Sequence, residues 1–217
     1  MDILTSPLLA RVPWIEHGFG TRHAPLSQRG MASLKQVHSA VALVADRSEG
    51  CVGEGDALLT REPGVTVSVR TADCFPVLLV DMHHHAVAAV HAGWRGTADG
   101  VVVEALRRMR EEFGTDAVDI SASVGPGIGA CCYEVGDEVA RRFGLAQAGR
   151  VDLAAENARQ LMREGVPRES ISLVGSLAGA CTFCNPALFY SWRRDREAAG
   201  RMISYIRLID PTQKHPA

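Results

Sequence analysis

Apolar positions along this chain fall into short runs with two spacings. Val65–Val69 alternates and is β-branched, Val41–Val44 is short, and Val77–Val80 follows Pro76 as a continuous apolar run. Ala86–Val90 is apolar and ends directly at His91, Ile120–Val124 ends at a Gly-Pro-Gly turn, and Ile203–Leu208 is a late strand. Between them, Gly100–Phe113 repeats apolar residues at helical spacing, with Arg107, Arg108 and Arg110 among its polar positions. Asp137–Phe143 predicts a second helix, and Leu153–Glu164 a third, closed by Gly165 and Pro167. Strands and helices alternate without a strict βαβ rhythm. The pattern predicts an α+β fold: one domain over residues 1–217, with mixed β-sheets covered by helices.

The chain has 217 residues, 47% of them hydrophobic and 22% charged, and shows no internal repeat or low-complexity linker. Its formal net charge of -2 gives no global attraction to nucleic acid or to an anionic membrane. Any binding of phosphate must therefore come from a local cluster of Arg or Lys. The first residues lack the basic and apolar regions of a signal peptide, and no run approaches the roughly 20 apolar residues of a membrane span. Six cysteines without an export signal read as thiols or metal ligands, and the expected compartment is the cytoplasm. Nothing in these patterns encodes an oligomeric state.

Three segments carry candidate chemistry: Lys35-Gln36-Val37-His38, Thr71-Ala72-Asp73-Cys74-Phe75-Pro76 and Val90-His91-Ala92-Gly93-Trp94-Arg95-Gly96. Each places a metal-competent side chain at the edge of a predicted strand, where a rigid element can aim it into a cleft. Two imidazoles and one thiolate suit the borderline-soft Zn²⁺ ion, and three ligands leave a fourth position open. Taken singly, each of the three is equally a buried, satisfied side chain.

The motifs go further. His17-Gly18-Phe19-Gly20-Thr21-Arg22, Lys35-Gln36-Val37-His38-Ser39, Gly55-Asp56-Ala57-Leu58-Leu59-Thr60 and Thr71–Val77 occur in order. His91–Gly96, Gly125–Gly136 and Phe189-Tyr190-Ser191-Trp192-Arg193-Arg194-Asp195 follow them. Together these blocks resemble the YfiH family, also described as multicopper polyphenol oxidase-like, laccase-domain or purine nucleoside phosphorylase-like proteins. Phe75 and the Phe-Tyr-Ser-Trp run vary the family pattern without touching a ligand position. The resemblance implies that His38, Cys74 and His91 are zinc ligands at the catalytic centre. It also implies phosphorolysis of adenosine, inosine, guanosine and methylthioadenosine, with adenosine deaminase activity in addition, and it connects some bacterial members with peptidoglycan editing. The expected partners are a purine nucleoside and phosphate. Competing readings are a copper-dependent phenol oxidase, a hydrolase with Cys74 as nucleophile, and a non-enzymatic metal-binding regulatory protein.

Phosphorolysis needs an anion site, and Arg22 and Arg95 are the candidates to anchor phosphate or substrate. Asp73, beside Cys74, is expected to orient a ligating histidine or to act as a base, with capping of a turn as the equal alternative, and Asp56 and Gln36 are further candidate supporting groups. Gly125–Gly129 reads as a tight turn rather than a phosphate loop, since it lacks the Gly-Lys-Ser/Thr ending. Tyr133 and Phe189 are candidates to stack on a purine, with core packing as the alternative. Cys181 and Cys184 form one C-x-x-C pair, with Cys131 and Cys132 nearby in pattern. A second C-x-x-C is missing, so the four read as free thiols. His83-His84-His85 reads as a solvated turn, and Arg193–Arg196 as a solvated face.

Overall fold

The computed structural model describes residues 2–176 and 179–209. Two six-stranded sheets pack face to face. The first runs, edge to edge, Ile3–Leu4, Ile15–Gly20, Met202–Leu208, Thr66–Thr71, Ala32–Lys35, Gly50–Glu54. The second runs Ile171–Leu173, Ile120–Val124, Phe75–Asp81, Ala86–Ala92, Ala57–Thr60, Ala42–Val44. Both sheets mix parallel and antiparallel pairs.

Every residue of Phe75–Asp81 and Ala86–Ala92 is buried. The reason is visible in the packing. Leu78, Val80, Val87 and Ala89 face the first sheet and meet Phe19, Val67, Val69 and Ile206. Their neighbours Val77, Leu79, Ala88 and Val90 face the other way, against Val102, Leu106, Met109 and Leu161 of the helices Val101–Phe113 and Leu153–Arg163. A strand covered on both faces is apolar throughout, which is why these two runs showed no alternation. Each such side chain contributes about 1.5–3 kcal/mol by leaving water.

The expected mixed sheets are present, but helices cover only one face of one sheet; the other sheet covers the second face. The helix ends agree closely: Val101–Phe113 stops where Gly114 turns left-handed at φ 77°, and Asp152 caps Leu153–Arg163 by accepting from the Ala155 N–H at 2.9 Å. The strands Ile15–Gly20, Ala32–Lys35 and Gly50–Glu54 gave no periodic signal. They are rich in Gly and polar residues, and their pairing partners lie far away in sequence. The three histidines 83–85 form the exposed turn that their position predicted, anchored where Asp81 accepts the His83 and His84 N–H groups at 2.8 Å each.

Sheet register brings the candidate residues together. Pro76 pairs with His91 across the central antiparallel strands, so Cys74, two residues earlier, lies beside the end of Ala86–Ala92. Ala57 pairs with Val90, and the His91 N–H donates to the Asp56 carbonyl at 2.7 Å. Asp56 and His91 are therefore neighbours through the backbone as well as the side chain.

Candidate metal centre

His38, Cys74 and His91 converge, their donor atoms all lying within 4.8 Å of one another. The two imidazole rings meet edge-on, 4.9 Å between centroids. His91 is held by a strand end. His38 comes from the loop after Ala32–Lys35, and its placement depends on Asp56. One carboxylate oxygen of Asp56 accepts from the His38 N–H at 3.1 Å and from His91 Nδ1 at 2.7 Å. The other accepts from the Ser39 N–H at 2.6 Å, from Ser39 Oγ at 2.8 Å and from the Val37 N–H at 3.3 Å. A fully buried carboxylate thus organises a whole turn and fixes the orientation of the His91 ring through Nδ1.

The backbone is strained at this point. His38 (φ 60°) and Asp73 (φ 80°) are two of the four non-glycine residues with positive φ among the described residues. Such conformations cost of order 1–3 kcal/mol and persist only where surrounding contacts fix them. Gly93 supplies the close approach, because a Cβ there would lie 2.9 Å from both Cys74 Sγ and His38 Nδ1.

The electrostatics are coupled. Burial alone would raise the Cys74 pKa, but His91 and His38 beside it bring it down to about 6. Burial opposes charge on His91 too, yet the Cys74 sulfur and the Asp56 carboxylate raise it to about 9. Asp56, despite burial, is held at about 2 by His91 and Ser39. One soft sulfur and two imidazole nitrogens, one of them oriented by a carboxylate, are a donor set that fits a borderline-soft divalent cation.

The three residues open onto a cavity of about 890 Å³. Arg70, Arg95, Arg193, Arg196 and Arg201 line it, and none of the five is paired with a carboxylate among the described residues. In a chain of net charge -2 this is a strongly local cationic field. Trp94, Tyr133 and Trp192 supply aromatic walls.

Several expectations change here. Asp73 touches neither histidine. Its carboxylate accepts from Thr182 Oγ1 at 2.6 Å, Ser191 Oγ at 3.1 Å and the Arg193 N–H at 2.6 Å. The carboxylate that orients a histidine is Asp56, whose signal in sequence was its place immediately before the apolar strand Ala57–Thr60. Gln36 lines the cavity and bonds both backbone groups of Arg70, at 2.8 Å each. Arg95 lines the cavity, its guanidinium 4.4 Å from the Trp94 ring. Arg22 does not line it. That side chain donates to the Pro186 carbonyl and lies over Tyr190 at 4.8 Å.

The Arg193–Arg196 run is not a solvated face. Arg193 and Arg196 face the cavity, and Arg194 donates to the carbonyls of Thr182, Phe183 and Phe189. Tyr133 lines the cavity, whereas Phe189 is core. At Gly127 a Cβ would lie 2.6 Å from the Phe75 ring, so packing is what requires glycine in that turn. All six cysteines are free thiols, but four of them, Cys131, Cys132, Cys181 and Cys184, are gathered in one cluster. No helix among the described residues is long and apolar enough to cross a membrane.

Comparison with known proteins agrees with this architecture. A protein from Bacteroides thetaiotaomicron called purine nucleoside phosphorylase is 40% identical over 167 residues, covering 70% of this chain and 60% of that protein. Adenosine deaminase RL5, from an unknown prokaryotic organism, is 36% identical over 180 residues, covering 76% of this chain and 66% of that protein. The crystal structure of a Bacillus licheniformis hypothetical protein, YfiH, superposes with a TM-score of 0.85 at 26% identity, covering 95% of this chain and 96% of that one. The family model described as multi-copper polyphenol oxidoreductase laccase matches residues 20–209. With nearly its whole length matched, and with the YfiH fold expected from its motifs, this chain belongs to that laccase-domain family.

Proposed function

We propose that this chain is a zinc-dependent purine nucleoside phosphorylase, working as one domain over residues 1–217 in the cytoplasm. The observation that carries the reading is the convergence of His38, Cys74 and His91 in a cavity lined by five arginines that have no carboxylate partner among the described residues. A soft-metal donor set beside an anion-attracting wall matches a reaction that joins phosphate to a nucleoside, and relatives called purine nucleoside phosphorylase support it. His38, Cys74 and His91 are the residues that would hold the ion. When bound, it supplies Lewis acidity at the cavity floor.

In the reaction, the bond between C1′ and the base nitrogen breaks, and a bond from C1′ to a phosphate oxygen forms. The electron pair leaves with the base, which takes up a proton. Arg95, in the short helix Trp94–Ala98 after His91, anchors phosphate by its planar fork, and Arg193 extends the same wall. The Tyr133 ring offers a face for the purine. Asp56 keeps His91 oriented, and Asp73 holds the Thr182–Arg193 segment that closes the cavity. Holding both reactants in one cavity supplies proximity and orientation.

Purified protein of known metal content, incubated with inosine or adenosine, is expected to release free base and pentose 1-phosphate only when phosphate is present. Absence of turnover with stoichiometric zinc bound would falsify the reading. Phosphate-independent conversion of adenosine to inosine would place it with the deaminase-named relative. Dioxygen uptake that requires added copper would favour phenol oxidation. Activity that persists after metal removal would favour Cys74 as a nucleophile with His91 as its base, since Asp56 completes a Cys-His-Asp arrangement.

A further inference from the structure

The second cysteine cluster lies away from the catalytic cavity, and nothing in the proposed reaction uses it. Cys131 and Cys132 sit on the turn after Gly129; Cys181 and Cys184 bracket the Thr182-Phe183 turn. Their four Sγ atoms all lie within 4.8 Å of one another. Cys184 Sγ is 3.7 Å from Cys131 Sγ and 3.2 Å from Cys132 Sγ. Sulfurs bonded to one zinc at about 2.3 Å in a tetrahedron are about 3.8 Å apart, whereas disulfide sulfurs are about 2.0 Å apart. The observed spacing is close to the first and far from the second.

The surroundings are those of a sulfur site. The Gly129 N–H donates to Cys181 Sγ at 3.3 Å. Backbone N–H groups aimed at sulfur compensate the negative charge that coordinated thiolates carry. Arg194 donates to the Thr182 and Phe183 carbonyls, fixing the turn between two of the cysteines from its inner side. The two segments are further joined where the Thr182 N–H donates to the Gly127 carbonyl at 3.0 Å. Cys131 and Cys184 are exposed, which gives an ion a route in.

We propose that Cys131, Cys132, Cys181 and Cys184 form a second metal site, a four-thiolate structural centre for zinc. The site needs no open position, since four protein sulfurs complete the tetrahedron, and each thiol gives up its proton to solvent on binding. Its task follows from what it joins. One segment carries Ile128 and Tyr133 into the cavity wall; the other carries Thr182, Ser191 and Arg193, the three donors to Asp73. The centre fastens together the two loops that close the catalytic cavity. The inference does not rest on the reaction proposed above.

Full-length protein purified without chelator is expected to hold two zinc ions per chain by elemental mass spectrometry. Cys74→Ser is expected to hold one, Cys131→Ser with Cys184→Ser one, and the triple variant none. Cobalt added to metal-free Cys74→Ser, in which all four clustered cysteines remain, is expected to give the intense thiolate-to-metal bands of a tetrahedral sulfur site. This measurement stands even where loss of the cysteines prevents folding. A zinc content unchanged between the wild type and Cys131→Ser with Cys184→Ser, a weak octahedral cobalt spectrum in Cys74→Ser, or a Cys132–Cys184 disulfide in freshly isolated protein would each overturn the second site, whatever the activity assays give.

Discussion

The two sulfur-bearing clusters of this molecule are assembled by opposite means. Cys74 and His91 lie at the ends of paired, fully buried strands, and a buried carboxylate fixes His91 and the His38 turn. That centre is preorganised by the core itself. Cys131, Cys132, Cys181 and Cys184 sit on two partly exposed loops tied by a few hydrogen bonds. There the ion would be the fastening. The difference teaches that the first cluster owes its geometry to the sheet that carries it, whereas the second would owe its cohesion to an ion, in place of packing that short loops lack.

The sharpest break in this comparison is Cys74→Ala. Phosphorolysis is expected to fall to background and one metal equivalent to be lost, while the urea midpoint changes little. A collapse of the fold would show that the centre is structural too. Asp56→Asn is next: loss of the carboxylate is expected to lower metal affinity at the catalytic centre by about 10–100-fold. Metal titration against a chromophoric chelator measures it, and the cysteine cluster serves as internal control. Unchanged affinity would mean that the Asp56 bonds only shape the loop.

Asp73→Ala tests the link between the clusters. It strips the partner from Thr182 Oγ1, Ser191 Oγ and the Arg193 N–H. The expected cost is about 1–3 kcal/mol in denaturant unfolding, with both metals retained. A smaller effect is expected from Arg95→Ala: a rise of about tenfold in KM for phosphate, equal to about 1.4 kcal/mol. Arg22→Ala is expected to leave that KM unchanged, because Arg22 contacts the Pro186 carbonyl and Tyr190 instead of the cavity.

The smallest effect lies at the opposite end of the Cys74 strand. Burial would raise the Asp81 pKa, but hydrogen bonds from the His83 and His84 N–H groups and from the His84 ring outweigh it and lower it. A depressed folded-state pKa gives stability that is fully present above the ordinary carboxylate value near 3.8 and is lost as pH falls through the folded value. Wild type is therefore expected to lose stability in acid more steeply than Asp81→Asn, by thermal melts across the acid range. Parallel pH curves for the two proteins would remove Asp81 from the account.

Much of this protein was legible from its residues alone. Continuous apolar runs at Val77–Val80 and Ala86–Val90 gave the doubly buried strands, since burial on both faces leaves no polar position. Helical spacing with flanking glycines gave Val101–Phe113 and Leu153–Arg163. Motif order gave the family and named His38, Cys74 and His91. Tertiary structure alone decided the rest. Only strand register set Asp56 against His91 and Asp73 away from both, because carboxylates look alike in sequence and differ only in which donors reach them. Only the fold took Arg22 out of the cavity and brought Arg193 and Arg196 in, because a guanidinium's role depends on the partner it finds. Only the joining of Gly127 with Cys181 gathered four thiols from two distant segments. Local pattern determines which face a residue shows, while proximity between loops separated by some fifty residues is settled by the core that carries them.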